Sequence, residues 1–343
     1  MGRRRRAEVP RHRQARVGCG RDLHAREQQD DVQELLQDAG GTDAERELRG
    51  AQWLAHPGAG PRYHGAVVVP GRHLGVRLLE SKERRGNRLL RSRAGEPGAH
   101  GHGRIVLVIH EQNSIAGLTN KTLSLFANKV LAAFPSAFGK NAELVGNPIR
   151  QDITQLVAPA TRYAERTGKL RLLVVGGSLG AQALNEVLPK ALAALPENIR
   201  PEVIHQAGEK HIDVLQANYH AASVDAETKA FINNMAEMYA WADVVICRAG
   251  ALTIAELACV GVASVLVPFP HAVDDHQTYN AQYLSNAGAA QLIQQAEFNV
   301  QKATQILQGL TREICCEMAI KAKQLAKPEA TASVAKICME LAL

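Results

Sequence analysis

Four stretches place glycines or polar side chains directly after apolar runs, the arrangement that brings reactive groups to the end of a strand. In VVGGSLGAQALN (174–185) an apolar run meets Gly176, Gly177 and Ser178, and a helical pattern opens just after Gly180. Glycine tolerates positive φ and lets a backbone approach a ligand closely. A helix start offers unpaired N–H groups and the positive end of a dipole. With the Ser178 hydroxyl these suit a phosphate, although glycines that merely turn the chain between strand and helix give the same pattern. In CRAGALTIAE (247–256) a second run meets a glycine and a helix. That helix is apolar except for Thr253 and Glu256, which are three apart and so share a face. A carboxylate in such surroundings needs partners. Two vicinal ribose hydroxyls or a structural ion pair would both supply them.

The third stretch, FPHAVDDHQTYN (269–280), carries His271, Asp274, Asp275, His276 and Gln277 on a loop entering a helix. These groups fit sugar or phosphate contacts, a metal ion, or a plain helix N-cap at Asp274 or Asp275. No fixed metal-ligand spacing favours the metal. The fourth, IHEQNSIAGLTNK (109–121), sets His110, Glu111, Gln112 and Asn113 just past a strand end. They read as ligand contacts or, with Asn113 or Ser114 as N-cap, as the start of the next helix.

Alternating elements position these stretches. Apolar runs at 105–110, 129–134, 170–178, 201–208, 243–250, 263–270 and 289–295 read as strands, with a short one at 229–234. Helical spacing fills 113–127, 181–195, 209–220, 235–242, 251–261 and 277–288, and three further helices follow over roughly 300–309, 311–326 and 328–342. Residues 142–150 close the first block at Pro148, and 151–168 reads as a linker with a polar helix. This alternation predicts an α/β fold, an open parallel sheet with helices on both faces. Ligands bind such sheets at the carboxyl ends of the strands.

Composition breaks near residue 104. Residues 1–104 hold 20 Arg and one Lys against 13 acidic residues, a net +8, whereas the remaining 239 carry −2. The first segment contains 16 of the 28 Gly but neither Ile nor Phe, residues a core needs. A short helix at 27–39 and a short strand at 65–71 are its only patterned pieces; otherwise it reads as a disordered basic arm. Without aromatic interleaving its arginines do not suggest a nucleic-acid module. Arg, Gly, Pro and Ala are also what GC-rich coding DNA yields out of frame. Cys19, Cys247, Cys259, Cys315, Cys316 and Cys338 lack C-x-x-C spacing, which argues against a zinc site or a disulfide framework. No apolar run reaches the ~18 residues of a membrane span, and MGRRRR is followed by arginines and prolines, so no signal peptide is expected.

HEQNSIAGLTNK, VGNPIR (145–150), VVGGSLGAQALN, CRAGALTIAE and PHAVDDHQTYNA, in that order, resemble the motifs of the bacterial MurG family of glycosyltransferases, from about Ile105 onward. The resemblance implies a GT-B fold of two Rossmann-like domains facing across a cleft. It implies an inverting hexosyltransferase that moves N-acetylglucosamine (GlcNAc) from UDP-GlcNAc to lipid I, undecaprenyl-pyrophosphoryl-MurNAc-pentapeptide, forming lipid II for peptidoglycan. No cofactor or obligatory metal is implied, since helix dipoles and N–H groups meet the leaving-group charge. The implied partners are the donor, lipid I and the cytoplasmic membrane surface, with no nucleic acid. The implied location is the cytoplasmic face of the inner membrane, as a peripheral protein. Carried over by position, substrate contacts fall on Asn113, Arg150, Ser178, Ile232, Ala251, Leu252, Thr253, Ile254, Ala255, Glu256 and Gln277. Glu256 would hold ribose hydroxyls, the helix start at Ala251 and Leu252 the pyrophosphate, the Ile232 backbone the uracil edge, and Gln277 the GlcNAc hydroxyls.

The N-terminal part departs from that family, which opens with a strand and a GGTGGH-type loop. AGGTDAE (39–45) has the GGT but no apolar strand before it and no His after it, and the second glycine-rich loop expected before HEQN is absent. The expected organisation is therefore an aberrant, disordered segment over 1–104, a remnant of the acceptor domain over 105–150, an intact donor-binding Rossmann-like domain over 151–327, and a C-terminal helix over 328–343. Transfer is expected to be impaired. The alternative is an inactive UDP-GlcNAc-binding module lacking its acceptor domain, while an epimerase acting on the same nucleotide sugar is disfavoured by HEQNSIAGLTNK. If residues 1–104 are an out-of-frame product, sequencing the coding DNA will show a GGTGGH-like peptide in another frame; no such peptide in either alternative frame would exclude that origin.

Overall fold

The computed structural model describes residues 65–70, 77–80, 105–177, 180–270, 272 and 275–342; for 65–70, 77–80, Ile105 and Ala342 it describes the backbone alone. The expected helix at 27–39 and the GGT at 39–45 lie outside these residues.

The larger sheet follows from strands that are apolar on both faces, as buried parallel strands must be. Its strands are β6 (Arg171–Val175), β7 (Glu202–Gln206), β8 (Glu227–Lys229), β9 (Val244–Cys247), β10 (Ala263–Leu266) and β11 (Ala290–Leu292). All pair in parallel, in the order β11-β10-β9-β6-β7-β8. The period of two sends alternate residues to opposite layers. Leu172, Val174, Val244, Ile246 and Val265 join one apolar cluster, with helices α4 (Gln182–Ala193), α5 (Ile212–Ala221), α9 (Val300–Gly309) and α10 (Arg312–Gln324). Leu173, Val245, Cys247 and Leu266 join the other, with α2 (Gln151–Thr154), α6 (Met235–Trp241), α7 (Ala251–Val260) and α8 (His276–Ser285). The strand order reverses between β6 and β9, so the loops after these two strands part to opposite sides and open a crevice, the ligand position in doubly wound sheets.

The smaller sheet has the order β2-β1-β3-β4-β5. Strands β3 (Ile105–Glu111), β4 (Lys129–Ala132) and β5 (Glu143–Leu144) are parallel. The expected strand at 65–71 is β1 (Gly65–Pro70), and β2 (Arg77–Glu80) had no signal in the sequence. β1 runs antiparallel to both β2 and β3, opposing Gly65 to His110 and Pro70 to Ile105. The last helix, α11 (Ala330–Ala342), returns to this sheet, where Val334, Ile337, Cys338 and Leu341 pack on Val108, Leu131 and Val145.

One helix is shorter than its pattern. Helical spacing covers 113–127, but α1 spans only Leu118–Ser124, and Gly117, not Asn113 or Ser114, is its N-cap. The cause is Glu111, wholly buried at the end of β3. Its Oε1 accepts from the Asn113 N–H at 2.9 Å, and its Oε2 from the Gly117 N–H at 3.3 Å and Asn120 Nδ2 at 2.8 Å. A strand carboxylate thus does the work of a local cap, and residues 113–117 wrap around it instead of coiling.

The edge of the larger sheet opposite the crevice is held by charge. Asp243, fully buried, pairs with Arg166 and, at 3.2 Å, with Arg312, and accepts from the Arg171 N–H at 2.9 Å. Arg162 and Tyr163 of α3 (Pro159–Ala164) donate to Gly261 O and Asp243 O nearby. Asp243→Ala leaves two guanidinium groups facing a vacated site. It should cost about 3–5 kcal/mol, read from urea unfolding; a loss below about 1 kcal/mol, the scale of an exposed pair, would show that the cluster is not a major support.

Candidate functional site

The glycine loop after β6 needs its glycines for different reasons. A Cβ on Gly176 would lie 2.9 Å from the Ala181 nitrogen and 3.0 Å from Gln206 O. Gly177 has φ +79°. Gly180 has φ +74°, and a Cβ there would come within 2.4 Å of Ala207 O. Ser178 lies outside the described residues. Gln206, which the sequence reading passed over, clamps this loop. Its carbonyl accepts from the Gly176 N–H at 3.1 Å, its Oε1 accepts from the Gly177 N–H at 2.9 Å, and its Nε2 donates to Gly177 O at 3.1 Å. Helix α4 then begins after Ala181 with no side-chain cap.

Across the switch point, α7 starts at Gly250 with no side-chain cap and no acidic residue in its first turn. The N–H groups of Ala251, Leu252 and Thr253 have no partner among the described residues. Leu252 is exposed, Ala251, Thr253, Ala255 and Glu256 are half-buried, and Ile254 is fully buried in the core, so only its backbone can serve a ligand. Tyr239 of α6 donates its hydroxyl to Glu256 Oε2 at 2.9 Å, leaving Oε1 without a protein donor among the described residues. Burial pushes the Glu256 carboxyl up, against the opposing effects of the Tyr239 hydrogen bond and the Arg150 charge. Because the folded value is raised, the ionised carboxylate destabilises the folded chain at neutral pH, a cost removed as pH falls through that value.

Asparagine and glutamine side chains join these loops to the smaller sheet. Asn280 of α8, almost fully buried, accepts from the Ser114 N–H at 2.8 Å and donates to Asn113 Oδ1 at 3.2 Å and Ala249 O at 3.3 Å. Asn147 donates to Gln112 O at 3.0 Å and Ala251 O at 3.4 Å. The Gln277 Oε1 accepts from the N–H groups of Ala249, at 3.2 Å, and Phe269, at 2.9 Å, so its carbonyl oxygen binds two loops and only Nε2 remains to donate. Arg248 holds Val267 O, Pro268 O and Gln295 Oε1. Of the sequence candidates, Asn113, the residues 251–256 and Gln277 thus share one hydrogen-bonded neighbourhood. Arg150 feels Glu256 electrostatically and pairs with Asp152 at 3.3 Å. Ile232 is buried in the same apolar cluster as Ile254, and no hydrogen bond engages its backbone among the described residues.

His110 Nε2 meets Gly146 O at 2.9 Å, and burial lowers its pKa. Asp275 occupies the N-cap position of α8 with φ +54° but makes no cap bond; its carboxylate accepts from Thr278 Oγ1 at 2.7 Å instead. His271 and Asp274 lie outside the described residues. Among the described residues no group of three or more His, Cys, Asp or Glu is placed to hold a metal ion.

Residues 171–336 match the glycosyltransferase family 28 C-terminal domain. The chain is 56% identical over 238 residues to the UDP-N-acetylglucosamine–N-acetylmuramyl-(pentapeptide) pyrophosphoryl-undecaprenol N-acetylglucosamine transferase of Dechloromonas aromatica, covering 69% of this chain and 67% of that one. The like-named protein of Burkholderia thailandensis is 57% identical over 240 residues, covering 69% and 65%. The crystal structure of Acinetobacter baumannii MurG superposes with a TM-score of 0.63 at 41% identity, covering 68% of this chain and 66% of that one. The match therefore spans about two thirds of the length of these relatives.

Tyr239→Phe removes the one hydroxyl that favours the ionised form of Glu256 from within the protein. The Glu256 carboxyl should then titrate at higher pH, followed by its carboxyl carbon resonance; an unmoved midpoint would mean that the hydrogen bond is not made in solution.

Proposed function

This chain belongs to the MurG family of glycosyltransferases, and from that premise we propose that its crevice holds UDP-GlcNAc for transfer of GlcNAc to lipid I, yielding lipid II. The α/β fold is of the GT-B type. The observation that carries the proposal is the uncapped start of α7 beside a carboxylate with one oxygen free, at the switch point of the sheet. The unpaired N–H groups of Ala251, Leu252 and Thr253 suit a pyrophosphate. Glu256 Oε1 suits ribose hydroxyls, the unpaired Ile232 backbone the uracil edge, and Gln277 Nε2 a GlcNAc hydroxyl. Ser178, Asn113 and Arg150 complete the contacts.

In an inverting step the acceptor hydroxyl oxygen bonds to the anomeric carbon from the face opposite UDP. The bond from that carbon to the phosphate oxygen breaks, and UDP leaves with the bonding pair. The charge that develops on UDP is met by the α7 and α4 starts, without an obligatory metal. The acceptor hydroxyl also loses a proton, and none of the described residues is assigned as the base that takes it. Lipid I is anchored in the bilayer, so the chain would work at the cytoplasmic membrane surface as a peripheral protein. Consistent with this, Leu118, Leu125 and Phe126 at α1 are exposed with Lys121 among them, apolar and basic groups that fit a lipid surface. Among the described residues no helix is long and apolar enough to cross a membrane.

A second reading rests on the sequence before residue 105, which carries no GGTGGH-type loop. It is a donor-binding module in which UDP-GlcNAc is held but acceptor positioning, and with it most of the rate, is lost. Calorimetry with UDP-GlcNAc together with a lipid II assay separates the readings. Binding with product supports the transferase, binding without product the module, and no binding rejects both. Glu256→Ala should weaken UDP binding about 10- to 150-fold, the equivalent of a charged hydrogen bond of ~1.5–3 kcal/mol, with the circular dichroism unchanged. An unaltered Kd would remove Glu256 from the ribose site.

A further inference from the structure

The side chain of Gln206 is 2% exposed at the end of β7, the strand between β6 and β8. Its Nε2 donates to Gly177 O after β6 and to Ala230 O after β8, each at 3.1 Å, while Oε1 accepts from the Gly177 N–H at 2.9 Å. Two carbonyls face the nitrogen and one N–H faces the oxygen, so the orientation of the amide is fixed by its partners. The amide extends the sheet's hydrogen bonding past the point where the strands end, with both of its N–H groups in use. Ala230 lies two residues before Ile232, and Gly177 lies in the loop that leads to α4.

We propose that Gln206 is a positioning residue that locks the glycine loop after β6 and the 230–232 loop after β8 into one rigid unit, so that the phosphate and base ends of a nucleoside diphosphate are bound in register. This rests on the nucleotide reading above, in which Ile232 meets the base and the glycine loop and α4 start meet the phosphates. A glutamine that only filled the core would be replaceable by an apolar side chain of its shape, because burying an amide helps only when its partners must be held. Its partners here are two loops that also meet the backbone at the end of β7, where Gln206 O accepts from the Gly176 N–H and the Ala207 N–H donates to Lys229 O. Among the described residues Gln206 is the one side chain hydrogen-bonded to both loops, and the Ile232 backbone has no bond of its own.

The test is the ratio of UDP affinity to uridine affinity, measured by calorimetry on the full chain. In the parent, UDP gains from phosphate and base contacts made together. Gln206→Met keeps the bulk and removes the ties; UDP affinity should fall about 10- to 100-fold, and the UDP-to-uridine ratio at least about tenfold. Leu215→Ala, a core truncation in α5 that removes no hydrogen bond of Gln206, should lower the thermal midpoint and leave the ratio unchanged. Gln206→Glu gives a second readout. Protonated, the acid accepts from Gly177 and donates to one carbonyl; ionised, it repels both carbonyls, so its UDP affinity should recover relative to the parent's as pH falls, the parent supplying the pH dependence that Glu256 and the terminal phosphate of UDP contribute. This variant also decides the matter if Gln206→Met does not fold. A ratio unchanged in Gln206→Met, an equal loss of ratio in Leu215→Ala, or a parental pH slope in Gln206→Glu each overturns the positioning role while leaving the nucleotide reading intact. A parent chain that binds neither UDP nor uridine overturns the nucleotide reading, and this inference with it.

Discussion

The first turn of α7 leaves its N–H groups unpaired by any of the described residues at the mouth of a crevice, and the larger sheet's loops are arranged around that fact. A helix start normally takes a Ser, Thr, Asp or Asn cap. Here the chain places Gly250 and then an apolar run, with Thr253 the first hydroxyl and Glu256 the first carboxylate. Such a start is stable only beside water or an anion. Because α7 packs between the sheet and α2, α6, α8 and α10, it cannot tilt to hide its end, so the positive terminus stays fixed at the crevice.

Fixing loops around that terminus falls largely to amides. Asn280, Asn147, Gln277 and Gln206 each connect backbone groups from different loops, and each is buried or half-buried. An amide carries both a donor and an acceptor without net charge. It can therefore join loops in a partly desolvated cleft without adding a charge there. Asn280 and Asn147 also fasten the HEQN loop to the start of α7, so the smaller sheet's edge belongs to the same rigid cradle despite its sequence distance. At the opposite end of the larger sheet the tie is an ion-pair cluster, in which Asp243 gathers Arg166 and Arg312.

The two halves of the chain are unequally equipped for this. Residues 105–343 supply all the Ile and Phe and both apolar layers of the larger sheet. From the first 104 residues come β1, antiparallel to β3, and β2, antiparallel to β1, in a fold whose other described pairings are parallel. The smaller sheet draws much of its packing from the other end of the chain, through α11. That contact gives the last helix a structural duty toward the smaller sheet as well as its place beyond the donor half.

What the sequence determined alone was local and periodic. Runs such as LLVV (172–175) and VVIC (244–247) are apolar at every position, the pattern of buried parallel strands, and the helices between them follow from their spacing. Glycines before two helix starts marked the crevice; Gly177 and Gly180 take a positive φ that other residues rarely adopt, whereas Gly250 has an ordinary extended backbone. What only the tertiary structure decided was which polar groups answer one another across long separations. Glu111 displaced the expected cap of α1, Gln277 turned its carbonyl oxygen to two backbone N–H groups, and Gln206 and Asn280 became ties between loops. A hydrogen bond between residues 24 or 167 apart leaves no period in a sequence. It exists because the folded backbone brings a buried donor to an acceptor that would otherwise stay unpaired.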